Sequence, residues 1–210
     1  MVTRLSEESN NVNIALALVL LLYAFYTALQ IFNLGFQETE TFQHLMAVFW
    51  LVPGILGVII LLNFGFTTSE CYLQYSELSL KGALLLSITL IILPFILLSG
   101  KWIGFDPVEA LIYAPASAIA QELFFRSVLL PVLLKKFKNK SVSIGLHSLL
   151  FGIWHVGVFL IAPLGAALMV VAVPTLLSIL WALQVFRDKS VFYLMILHSI
   201  FLVSMSMFLW

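Results

Sequence analysis

Long apolar runs separated by short polar breaks organise this chain. A helix that crosses a bilayer needs about 20 mainly apolar residues, and runs of that order lie at about 13–34, 43–65, 80–99, 106–134, 142–162, 165–186 and 191–210. The pattern predicts an all-α, polytopic transmembrane helical bundle of about seven spans. The polar break at about 66–79 is longer than the others and is expected to lie at the membrane interface. Pro115 and Pro131 fall in the fourth run and Pro174 in the sixth. A proline inside a helix removes a hydrogen bond and crowds the preceding turn, so the fourth span is expected to kink or to carry a partly exposed end.

Composition supports the membrane assignment. Of 210 residues, 62% are hydrophobic and 10% charged, against about 25% charged in soluble domains. So few charges cannot coat a water-facing surface, whereas a lipid-facing one needs none. The length allows one integral membrane domain over residues 1–210. The net charge is zero, and the only basic run, Lys135 to Lys140, fits a short loop, so the bilayer and not nucleic acid is the expected partner. The single cysteine, Cys71, excludes an intrachain disulfide and a Cys-rich metal site. The first apolar run is too long for a typical signal core and is expected to be a retained span. With seven spans, Arg4, Lys81, Lys135, Lys136, Lys138, Lys140, Arg187 and Lys189 share one side, and only Lys101 falls on the other. The positive-inside rule then puts the N-terminus inside and the C-terminus outside.

Against this apolar background, polar and ionisable residues inside spans are costly and point to function. They fall in three spans: Gln121, Glu122 and Arg126 in the fourth, His147 and His155 in the fifth, and His198 in the seventh. His44 and Glu109 lie near span ends. Counting from the basic anchors at about 1.5 Å per residue puts Glu122 and His155 roughly 20 Å deep and Arg126 and His198 roughly 13 Å deep. These depths fit one polar cluster between three helices, opening toward the inner face. Glu122 and Arg126 are spaced to pair on one helix face. The lesser alternative is that they neutralise each other and simply hold the bundle, and His147 fits a hydrogen-bonded packing role. Ala114, Ala116, Ser117, Ala118 and Ala120 are expected to allow close helix approach without chemistry of their own.

The order Gln121-Glu122-Leu123-Phe124-Phe125-Arg126, then Phe151-Gly152-Ile153-Trp154-His155, then His198-Ser199-Ile200-Phe201-Leu202 resembles the motifs of the CPBP family. This family comprises CAAX proteases and bacteriocin-processing enzymes and is also called the Abi family. The resemblance covers about residues 105–208, which would form the catalytic core. It implies a glutamic intramembrane endopeptidase in which a glutamate and the second motif's histidine activate water and the third motif stabilises the oxyanion, without a metal. The implied site is Gln121, Glu122, Arg126, His155 and His198. Two positions depart from the family pattern. The first motif's glutamate is Gln121, and the third motif's Asn or Asp is Leu202. Glu122 could serve as base, the chain could be a natural pseudoprotease, or Gln121 could be an inactivating substitution.

The resulting expectation is an intramembrane endopeptidase cleaving a membrane-anchored or lipidated peptide near the cytoplasmic face of a prokaryotic plasma membrane. The alternative is a catalytically impaired relative acting as a membrane scaffold or in bacteriocin self-immunity. A transporter would call for inverted repeats, and the sequence has none. No cofactor is expected. Zinc held by Glu122, His155 and His198 is chemically conceivable, although the ligands lack a close-spaced motif.

Overall fold

The computed structural model describes the backbone of residues 2–35, 40–98 and 100–209, and the side chains of 9–32, 49–98 and 100–208. Arg4 and His44 lie outside the described side chains. Each apolar run becomes a helical rod. The first three are α1 (Val2–Gly35), α2 (Glu40–Asn63) and α3 (Leu80–Leu97). The fourth is continuous: a π-turn (Glu109–Tyr113), α4 (Ala114–Phe124), a second π-turn (Phe125–Leu129) and α5 (Leu130–Phe137). The remaining rods are α6 (Lys140–Trp154) with a 3-10 extension (His155–Leu160), α7 (Leu164–Asp188) and α8 (Phe192–Ser206).

The protein is an integral membrane helical bundle. Among the described residues, 5 helical stretches are long and apolar enough to cross a membrane, and Phe49–Asn63 and Phe192–Ser206 are shorter apolar helices. Large apolar side chains such as Leu21, Phe25, Ile91, Phe95 and Leu176 point outward, which only a lipid surrounding makes favourable. The fourth rod is the axis. In its most apolar window 78% of residues are buried, against 17% in α1, 22% in α3 and 28% in α7. The other helices wrap it and face lipid with their outer sides.

Prolines shape this axis through the turns before them, and its first turn is partly exposed, as expected, at Leu111 and Ile112. Pro115 and Pro131 each stand at the start of a regular helix, directly after a π-turn. A proline has no N–H to offer the carbonyl four residues back, and in hydrocarbon that carbonyl has no water to turn to. The preceding turns widen instead: Ala114 N–H bonds the Glu109 carbonyl and Leu130 N–H bonds the Phe125 carbonyl, each five residues back. The rod therefore stays continuous and buried through Phe125–Leu129.

The two ends of the bundle are built differently. At the basic end the 66–79 segment is tied down: Leu73 bridges Ser190, Val191 N–H donates to the Tyr72 carbonyl at 3.1 Å, and Lys135 Nζ pairs with Glu70 at 3.2 Å. Left-handed Lys138 and Lys189 end α5 and α7 there, and the Asn139 side chain caps α6 by accepting from Val142 N–H. At the opposite end, β1 (Lys101–Trp102) pairs antiparallel with β2 (Phe208–Leu209). Glu109 starts the fourth rod at this end, far from Lys135.

Candidate functional site

The i, i+4 spacing on the axial rod places Glu122 and Arg126 side by side. Arg126 Nε lies 3.1 Å from Glu122 Oε2, and both side chains are 0% exposed. The two atoms are at pairing distance without being aligned as a hydrogen bond. Glu122 Oε1 is 2.6 Å from Nδ1 of His198 on α8. Both carboxylate oxygens are therefore engaged, one by a guanidinium and one by an imidazole. A carboxylate acts only as acceptor here, so His198 carries its proton on Nδ1.

Arg126 is held from a third helix. Its Nη2 donates to Ser178 Oγ on α7 at 3.2 Å, and Ser178 Oγ lies 3.4 Å from His147 Nδ1 on α6. Its guanidinium stacks 4.3 Å from the Phe151 ring and 5.2 Å from the Trp181 ring. Stacking on aromatic faces offsets part of the cost of dehydrating the cation. Among the described residues Arg126 Nη1 has no acceptor, which makes these rings more important. Trp181 in turn packs on His198 at 4.7 Å between ring centroids and donates to Thr89 Oγ1 of α3 at 2.8 Å.

His155 stands where α6 tightens into its 3-10 extension. Its Nδ1 bonds the Phe151 carbonyl at 2.8 Å. A carbonyl only accepts, so Nδ1 carries the hydrogen, and in the neutral ring Nε2 keeps its lone pair. The imidazole also packs against Phe151, 5.0 Å between ring centroids, on the ring that Arg126 covers. It lies within electrostatic range of Arg126 and His198. Gln121 faces away from this ion cluster, as neighbours on one helix must. Its Nε2 donates to Ser117 Oγ at 3.0 Å, while its buried Oε1 has no partner among the described residues.

Glu122, Arg126 and His198 are thus brought into direct contact. His155 sits one aromatic layer away, and Gln121 turns to a different face. Ser117 does more than allow close packing: it is the hydrogen-bond partner of Gln121. Ser178 and Trp181 were not legible in the sequence, because one serine and one tryptophan in an apolar span carry no signal. His147 joins the network through Ser178, as a hydrogen-bonded packing residue would. The Ser199 hydroxyl, next to His198, donates to the Met195 carbonyl at 2.7 Å. Among the described residues no group of 3 or more His, Cys, Asp or Glu side chains is arranged to hold a metal.

A cavity of about 310 Å³ lies one helical turn along α4 and α8 from Gln121 and His198. Trp50, Glu109, Tyr113, Ser117, Leu202 and Met205 are among its lining residues. Ser117 lies one turn before Gln121, and Leu202 lies one turn after His198. This cavity lies toward the β1–β2 end, and none of Gln121, Glu122, Arg126, His155 and His198 lines it. The cavity of about 300 Å³ at the basic end, lined by Phe66, Glu70, Tyr72, Lys135 and Lys189 among others, touches none of the motif residues.

Residues 103–203 match the family model described as Type II CAAX prenyl endopeptidase Rce1-like. No curated protein and no solved structure matches the chain.

Proposed function

We propose, from the match of residues 103–203 to the Rce1-like family, that this integral membrane protein is a peptide-bond hydrolase whose working base is His155, with Gln121 in the place of the family's glutamate. The observation that carries this reading is the engagement of Glu122 by Arg126 and His198. A carboxylate enclosed in that way is poorly placed to take a proton from water. The remaining motif residue with a directed lone pair is His155, at Nε2.

In this reading a water oxygen attacks the scissile carbonyl carbon while His155 Nε2 takes one of its protons. The Gln121 amide, turned toward Ser117, cannot take up a proton as the family's glutamate would. His198, held at Nδ1 by Glu122, donates to the developing oxyanion from Nε2 as the imidazolium, and preorganised donors there lower the barrier. The C–N bond then breaks as the proton passes from His155 to the leaving amine, giving a free carboxyl group and a free amine. Leu202 supplies no donor, so the oxyanion is held by fewer groups than in relatives with Asn or Asp there. The substrate class is a membrane-anchored or lipidated peptide.

A second reading is favoured by the same two positions. Gln121 and Leu202 together fit a binding protein or self-immunity protein on a protease fold. One membrane-anchored reporter peptide, presented to four versions of the protein, separates the two. The endopeptidase reading expects slow cleavage by the unmodified chain, none by His155→Ala, and a gain of roughly 10²–10⁴-fold in Gln121→Glu, the usual contribution of a positioned general base. An active protein that a folded Glu122→Gln silences and Gln121→Glu leaves unchanged would make Glu122 the base. Absence of cleavage in all versions would favour the binding protein.

A further inference from the structure

The cavity of about 310 Å³ one turn from the site has a feature that water activation does not use. Most of its wall is apolar, from Trp50, Ala114, Leu202 and Met205, yet Glu109 opens into it half-buried. Among the described residues no basic side chain pairs with Glu109. Its charged neighbour is Asp106, whose carboxylate instead accepts from Val108 and Glu109 N–H at 2.8 and 3.3 Å. A carboxylate held at the rim of an apolar cavity, with a second negative charge behind it, is complementary to a cation carried on an apolar stem. Lysine and arginine side chains have that form.

We infer that this cavity is a subsite for an extended peptide and that Glu109 binds a lysine or arginine side chain of it. The register rests on the endopeptidase reading. Glu109 precedes Gln121 by about 12 residues, or roughly 18 Å of helix. An extended peptide advances about 3.3 Å per residue, so the basic residue sits about five positions from the bond to be cut. Leu202 fits this role. In place of an oxyanion donor it gives the cavity an apolar wall between Glu109 and His198, against which intervening apolar side chains can lie.

Binding tests the subsite independently of catalysis. The full-length protein in detergent is titrated into a fluorescent apolar peptide carrying lysine at one position, and into its twin with norleucine there, and anisotropy is read. The lysine peptide should bind about tenfold more tightly, between the few-fold effect of an exposed pair and the larger couplings of desolvated interfacial pairs. Glu109→Gln should abolish that difference, and Glu109→Lys should reverse it toward an aspartate peptide. Equal affinity of the two peptides for the unmodified protein overturns the inference even if Glu109→Gln does not fold. Preference that survives Glu109→Gln, or no binding of either peptide, also overturns it. Cleavage data speak separately. If Gln121→Glu cleaves without preference for a basic residue, the subsite fails and the endopeptidase stands. If binding shows the preference and no version cleaves, the endopeptidase fails and the subsite stands.

Discussion

Breaking the buried pair should be costly, and breaking it from either side should not cost the same. Removing one partner of a buried ion pair costs about 3–5 kcal/mol, because the remaining charge stays dehydrated. Arg126→Met leaves Glu122 its 2.6 Å contact with His198, which can accommodate the negative charge, so the loss should fall near the lower figure. Glu122→Gln leaves the Arg126 cation with Ser178 and the Phe151 and Trp181 rings. No carboxylate remains beside it, and the loss should fall near the upper figure. In a chain of this size each kcal/mol lowers the melting temperature by about 2–4 °C, so the singles should melt roughly 6–20 °C below the unmodified protein. The double variant contains no unpaired charge, and the amide oxygen that replaces the carboxylate can still accept from His198. It should melt well above the value expected from adding the two losses, because contacting residues couple. The assay is thermal unfolding of the purified protein in one detergent, with all four versions measured together. Additive losses, or Arg126→Met melting lower than Glu122→Gln, would refute the reasoning.

Reporters fused after Asn139 and at the C-terminus should read opposite sides of the membrane, with Asn139 inside; the same side for both would overturn the seven-span order. A methyl group at Gly152 would overlap Thr175 Oγ1 and come 3.2 Å from the Val171 carbonyl, so Gly152→Ala should separate α6 from α7 and cost about 1–3 kcal/mol, read as a lower melting temperature; an unchanged value would show that the helices yield freely. Outside the spans, burial alone would raise the Glu70 carboxyl above its ordinary 4.5, but the Thr67 N–H and Lys135 outweigh it and hold it below. A lowered value means stabilisation that is present above about pH 4.5 and is lost as the pH falls through the folded-state value. Glu70→Gln should therefore narrow the fall in melting temperature on acidification, and an identical pH profile would count against the pairing.

Much of the fold was written into the one-dimensional pattern. Seven apolar runs separated by short breaks leave a chain little choice in a bilayer, because every backbone group there must be satisfied within its own helix. The pairing of Glu122 with Arg126 was equally legible, since four residues along a helix return to the same face. That Gln121 and Glu122 must point apart followed from the same geometry. Other features depended on how the helices rotate and dock. His198 reaches Glu122 only because α8 packs against α4. Ser178 and Trp181 meet Arg126 only through the orientation of α7, and no local spacing announces a contact between residues 52 positions apart. The prolines were visible, but the π-turns before them answer to the hydrocarbon surroundings, which leave no water for a freed carbonyl. The direction of the cavity was beyond local reasoning altogether. Depths counted along single helices say which residues share a level, while the gap beside them is the space that packed neighbours fail to fill.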